Sequence, residues 1–151
     1  MQARLTNPGV LATDVPKAVN LLYKAAHGSG VAPAVLELVH LRASQINGCS
    51  PCVDSGARSM RKNGESDERL FSVAAWRETP YYTDAERAAL ALTEAATRLA
   101  DRGDAVPDAI WDAAAQHFTE EELGAIVLWI ATTNFFNRIN AALKTPAPQQ
   151  W

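Results

Sequence analysis

The chain's two cysteines stand together as Cys49-Ser50-Pro51-Cys52, directly after Gly48. Helix-forming residues follow, so the pair marks a helix start. There the aligned peptide dipoles and unpaired N–H groups stabilise an anion, which favours thiolate over thiol. Cysteines at this spacing share one helical turn and can close a disulfide, as reversible two-electron exchange requires. The plain alternative is a pair of buried cysteines acting as small apolar side chains. A Cys-x-x-Cys at a helix start, with no other cysteine present, favours the redox reading. Structural zinc takes four ligands, and His27, His40 and His117 stand at no finger spacing from the pair. Neither a metal nor a cofactor is expected.

Helices must position this pair. Pro16 opens a first helix running towards His27, and Gly28-Ser29-Gly30 breaks it. Pro33 suits the first turn of a second, because its missing N–H would be unpaired there in any case. Val35, Leu38, Val39 and Ile46 give that helix one apolar stripe, and Asn47-Gly48 ends it. The cysteine helix runs to about Asn63-Gly64, and a short helix is predicted from Ser66 to about Trp76. Thr83-Asp84-Ala85-Glu86 and Thr119-Glu120-Glu121-Glu122 read as capping boxes, each opening a helix. The first carries Ala85, Ala88, Ala89, Leu92, Ala95, Ala96 and Leu99 on one face, small enough for close helix packing. Another helix is predicted from Pro107 to Phe118. No stretch alternates with period two, so the fold class is all-α. The whole chain, 1–151, reads as one domain with its core at about 17–142 and a Pro-rich flexible tail at 145–151. Trp151 could instead pack on a neighbouring subunit.

At 151 residues the chain can bury a core without staples. Its net charge of −3 offers no basic field for nucleic acid or anionic lipid, so neither partner is expected. The run from Ala125 to Ala131 is the longest apolar stretch, far short of the roughly 20 residues of a spanning helix. No membrane association is expected. The first residues show no secretory pattern, and one close cysteine pair fits a reducing compartment, so the cytoplasm is the expected location.

The residues from Glu37 to Cys52, read together, resemble the signature of the alkylhydroperoxidase D-like, or carboxymuconolactone decarboxylase, family. Gly64-Glu65, the run Glu86-Arg87-Ala88-Ala89-Leu90, and Asn134-Phe135-Phe136-Asn137-Arg138 support the resemblance in order. It implies an all-helical fold, a homo-oligomer (dimer, trimer or hexamer) and, in the peroxidase branch, hydroperoxide reduction by the cysteine pair. Carried over, Glu37 matches the proton-relay acid, Cys49 the cysteine that exchanges with the reductant, and Cys52 the one that attacks peroxide. The branch has a His four residues after the second cysteine; this chain has Gly56. His40 is the candidate replacement, because it lies three residues after Glu37 and shares its helix face. A surface or interface role for His40 is the alternative. On this reading a His introduced at position 56 would raise the peroxide rate; a tightly packed Gly56 would instead make the larger side chain clash and lower the melting temperature.

The leading expectation is a thiol-dependent oxidoreductase: a small hydroperoxide oxidises Cys52, Cys49 resolves it, and a dithiol or protein reductant restores both. The alternatives are a lactone decarboxylase, acting on a lactone-type substrate, and a redox-sensing or binding oligomer that has lost catalysis with the His. Asn134, Asn137 and Arg138 are expected to fix helix ends or an interface. The alanine stripe, the 134–138 segment and four tryptophans are the sequence grounds for self-association.

Overall fold

The computed structural model describes residues 3–5 and 14–149. Gln150 and Trp151 lie outside the described residues, and with them the question of what Trp151 packs on. The described residues form α1 (Val15–His27), α2 (Pro33–Asn47), α3 (Ser50–Lys62), α4 (Asp67–Ser72), α5 (Asp84–Thr97), α6 (Asp108–Ala115) and α7 (Glu120–Leu143). No strand occurs among them, and the fold is all-α.

Local chemistry sets most helix ends. Prolines occupy the first turns of α1, α2 and α3. Thr83 and Thr119 each accept from the backbone N–H three residues on, while Glu86 and Glu122 reach back to the Thr N–H at 2.8 Å, so both capping boxes form. Gly48 closes α2 at φ +64°, a left-handed conformation that glycine adopts without penalty. That turn hands the chain straight to Cys49, the N-cap of α3. The short helix from Ser66 changes character: α4 ends at Ser72 and a 3₁₀ segment, Val73–Glu78, carries Trp76.

The helix α2 is central, packed against α3, α5 and α7, while α1 lies on α7. Its Val35, Leu36 and Val39 enter a core with Leu92, Ile126 and Ile130. Its Leu38 and Leu41 enter a second core with Met60, Leu70, Val73, Trp76 and Leu90. Serving both cores buries α2 on opposite sides, so the single stripe expected from its spacing is only part of its apolar surface. Ile46 is only half-buried. The alanine face of α5 is likewise used within the chain: Ala88, Ala89 and Leu92 join the first core, whereas Leu99 is exposed.

Polar clamps hold α2 in register. Glu94 of α5 receives Arg42 Nη2 at 2.6 Å, Arg77 Nη1 at 2.8 Å and Trp76 Nε1 at 3.0 Å. Burial alone would raise the Glu94 carboxyl; the hydrogen bonds from Arg77, Trp76 and Arg42 outweigh it and hold the pKa below the ordinary carboxylate range. Further along the same half of α2, at its last residue, Asn47 Nδ2 donates to Asn134 Oδ1 and Asn137 Oδ1, both at 2.9 Å. Asn137 in turn donates to Ser44 Oγ at 3.1 Å. These bonds tie the last turn of α2, just before the cysteines, to α7. Arg138 is exposed and takes no part.

Candidate active site

Cys49 and Cys52 are joined by a disulfide with Cα atoms 5.3 Å apart. The Cys49 N–H donates to Ser44 O at 3.0 Å, anchoring the N-cap to α2. Both sulfurs are covered: Cys49 is 1% exposed and Cys52 6%. They open on different sides. Cys52 faces a cavity of ≈ 620 Å³ bordered by His40, Asp54, Arg58, Phe136 and Asn140. Cys49 faces a second, of ≈ 390 Å³, bordered by Ser50, Asn140, Ala141, Lys144 and Thr145. Residues 145–149 are not helical, and the Ala147 N–H donates to Ser50 Oγ at 3.0 Å, so this segment crosses the start of α3.

The gap left by glycine on α3 is filled from α2. A Cβ built on Gly56 would meet His40 Nδ1 at 2.9 Å and Cε1 at 3.2 Å. Gly56 is therefore the residue that lets the His40 ring lie against the cysteine helix, one turn beyond Cys52. The same contact is the tight packing that sets a clash against any added base at position 56: that space already holds an imidazole.

The His40 ring borders the Cys52 cavity and also a smaller one, ≈ 210 Å³, that it shares with Glu37, Ser55, Ser59 and Trp129. Glu37 accepts from Ser59 Oγ at 2.8 Å and also borders an outer cavity with Pro33, Met60 and Gly64. Desolvation, aided by the nearby His27, lowers the His40 pKa to about 4, so its imidazole is neutral at pH 7. An aromatic group backs it. Trp129 donates to Leu36 O at 3.0 Å, and its ring lies 6.1 Å from His40 and 4.7 Å from His27.

All four sequence candidates, Cys49, Cys52, Glu37 and His40, thus lie along adjoining faces of α2 and α3. His27 stacks on Tyr23 at 3.8 Å, outside this group, and His117 is exposed. Among the described residues no cluster of three His, Cys, Asp or Glu side chains could hold a metal. The sequence reading missed Asn140, whose Nδ2 donates to Cys52 Sγ at 3.4 Å. Only its place one helical turn after Phe136 sets it near the supporting 134–138 segment, and nothing in its local sequence points to a cysteine 88 positions away.

The fold and site define an all-helical protein with a disulfide-forming Cys-x-x-Cys at an inner helix start, an imidazole on the cavity that Cys52 faces and a carboxylate on the cavity beyond that imidazole. The chain belongs to the carboxymuconolactone decarboxylase family, whose model matches residues 13–95. An uncharacterized protein, YdfG of Bacillus subtilis, is 37% identical over 107 residues, 71% of each chain. Another, YnjA of Escherichia coli, is 34% identical over 115 residues, 76% of this chain and 62% of that protein. A crystal structure from Agrobacterium tumefaciens, of a protein of unknown function provisionally described as the antioxidant defence protein AhpD, superposes with a TM-score of 0.90. It is 34% identical and covers 99% of this chain and 100% of its own. The debrominase Bmp8 shares the fold at TM-score 0.79 and 22% identity, over 91% of this chain and 73% of its own. Family membership and the cysteine pair together fit a redox role.

Proposed function

We propose that the chain is a thiol-dependent hydroperoxide reductase in which Cys52 attacks the peroxide and His40, relayed through Glu37, handles the proton. The observation that carries this reading is the His40 ring lying on Gly56, where the peroxidase branch has its own histidine on the cysteine helix. In the reduced protein, neutral His40 accepts the Cys52 thiol proton. The thiolate attacks one peroxide oxygen, the O–O bond breaks, and the departing alkoxide takes the proton from His40 to leave as alcohol. Cys52 becomes a sulfenic acid; Cys49 displaces its hydroxyl as water and forms the disulfide. An external dithiol or protein reductant then reduces the pair, in keeping with a cytoplasmic setting. A low His40 pKa suits the second half of this shuttle, because a weakly held proton is released readily to the leaving group. Glu37, with one side on His40's cavity and the other on an outer cavity, offers exchange with solvent.

The test is turnover of an organic hydroperoxide by the purified protein with a dithiol. Cys52→Ser should abolish it, and His40→Asn should lower it about 10²-fold, the lower end of general acid–base assistance. Peroxide-dependent thiol loss without turnover would instead identify a sensor. Activity on a lactone acid with thiols blocked would identify a decarboxylase. We also propose that the protein acts as a homo-oligomer, since Leu21 is 68% and Phe71 79% exposed, much apolar surface for a lone subunit.

A further inference from the structure

In a disulfide, the sulfur whose thiolate is better stabilised is the better leaving group, so an incoming thiolate forms its bond to the other one. The Cys49–Cys52 bond is asymmetric in this respect. Asn140 Nδ2 donates to Cys52 Sγ at 3.4 Å, whereas Cys49, although it is the N-cap of α3, makes no side-chain capping hydrogen bond to its helix. Asn140 also borders both cavities, the one Cys52 faces and the one Cys49 faces, and so stands between the two approaches to the bond.

We propose that Asn140 gives the disulfide its direction, holding Cys52 as the leaving thiolate so that the reducing thiol attacks Cys49 from its own cavity. This rests on the redox reading of the pair and adds to it the residue that selects the sulfur. An external thiolate attacks Cys49 Sγ, the Cys49–Cys52 bond breaks, and its electron pair leaves on Cys52 Sγ, where the Asn140 amide donates to it. One thiolate enters and one leaves, with no net proton transfer. The second thiol of a dithiol, as thiolate, then attacks its own sulfur in the mixed disulfide and releases Cys49.

The other groups around Cys52 do not supply this preference. From α3, Asp54 and Arg58 border its cavity as an ion pair at 2.8 Å, whose charges largely offset each other. From α2 comes His40, neutral at pH 7. Besides Asn140, α7 contributes Phe136, and Pro148 follows from beyond it. On the Cys49 side the charged neighbour is Lys144, exposed at the cavity rim, where it favours the approach of an anionic thiolate.

The experiment treats the oxidised protein briefly with limiting 2-mercaptoethanol, blocks free thiols with iodoacetamide, and maps both cysteines by mass spectrometry. The wild type should carry the mercaptoethanol adduct on Cys49 and the alkyl group on Cys52. Asn140→Leu, which removes the donor, should reduce this preference about tenfold, and the isosteric Asn140→Asp should reduce it further by adding a like charge. In a Cys49→Ser background, thiolate absorbance against pH should place the Cys52 pKa about one unit higher in Asn140→Leu and higher again in Asn140→Asp. An adduct mainly on wild-type Cys52 would overturn the proposal, as would the same partition and the same pKa in all three proteins. Should the leucine variant not fold, the aspartate variant decides alone. None of these readings uses peroxide, so a failure of hydroperoxide turnover alongside an intact Cys49 preference would count against the peroxidase reading only.

Discussion

A methyl group at position 56 would stand 2.9 Å from His40 Nδ1, so the smallest substitution there acts first on the imidazole. Gly56→Ala gains roughly 0.5–1 kcal/mol of helix propensity, offset by the contact with a ring that must shift. Its melting temperature should change little, while the rate of thiol oxidation by peroxide falls. Gly56→His alone should lower that rate and the melting temperature, because two rings compete for one space. Combined with His40→Ala, the same substitution moves the imidazole from α2 to α3. The double variant should then recover at least about tenfold of the rate that His40→Ala loses, within the range of general acid–base assistance. Equal rates in the single and double variants would show that no imidazole assists Cys52. The pH profile offers a separate check. With the His40 pKa lowered to about 4, the acid limb of the peroxide reaction should fall near that value rather than near 6.5.

At the scale of the element, the position of Cys49 depends on how the end of α2 is held. Asn137 is fully buried and joins Asn47 to Ser44. Asn137→Ala would remove one hydrogen bond from Asn47, which keeps its bond to Asn134, and one from the buried Ser44, and should destabilise the fold by about 2 kcal/mol, read as a lower urea midpoint. Because the Cys49 N–H bonds to Ser44 O in the same turn, the variant should also reduce its disulfide faster than the wild type. Glu94 holds the opposite side of α2. Glu94→Gln removes the charge that Arg42, Arg77 and Arg98 share and should cost on the order of 3 kcal/mol. Almost all of it comes from the largely buried Arg42 losing its counter-charge, since Arg77 and Arg98 are exposed to water. An unchanged urea midpoint would mean that the arginines find water instead.

The whole molecule should lose stability on acidification in two stages. His40 has a lower pKa folded than unfolded, so protons favour the unfolded chain. Its contribution is complete above about 6.5 and declines as pH falls towards about 4. Glu94 and Glu86, held low by their arginine partners, contribute fully above the ordinary carboxylate range and lose that contribution as pH falls through their lowered values. Urea midpoints between pH 7 and 3 should therefore fall first through the histidine range, a step absent in His40→Asn, and then more steeply. Self-association belongs to this scale too. Its grounds have moved, since the α5 alanines are buried internally and Trp76 is enclosed with Glu94. The exposed Leu21, Phe71 and Phe135 replace them. Sedimentation at micromolar concentration should show a species heavier than the 16.3 kDa chain. A monomer alone would sink the expectation.

The sequence by itself determined what depends on neighbours a few residues apart. Pro33, Gly48, Thr83 and Thr119 mark helix ends because their bonding and backbone limits act within one turn. The pairing of Cys49 with Cys52 follows equally from a separation of three residues. Only the tertiary structure decided what converges on those cysteines. Whether His40 faced Gly56 turned on the rotation of α2 against α3, which no periodicity in α2 could reveal once both of its sides were apolar and buried. Asn140 reaches Cys52 from 88 residues away, and the geometry that brings it there comes from two cores and two polar clamps packed together. Spacing along the chain shows which side chains share a helix face; which other helix that face meets is set by the packing of all of them.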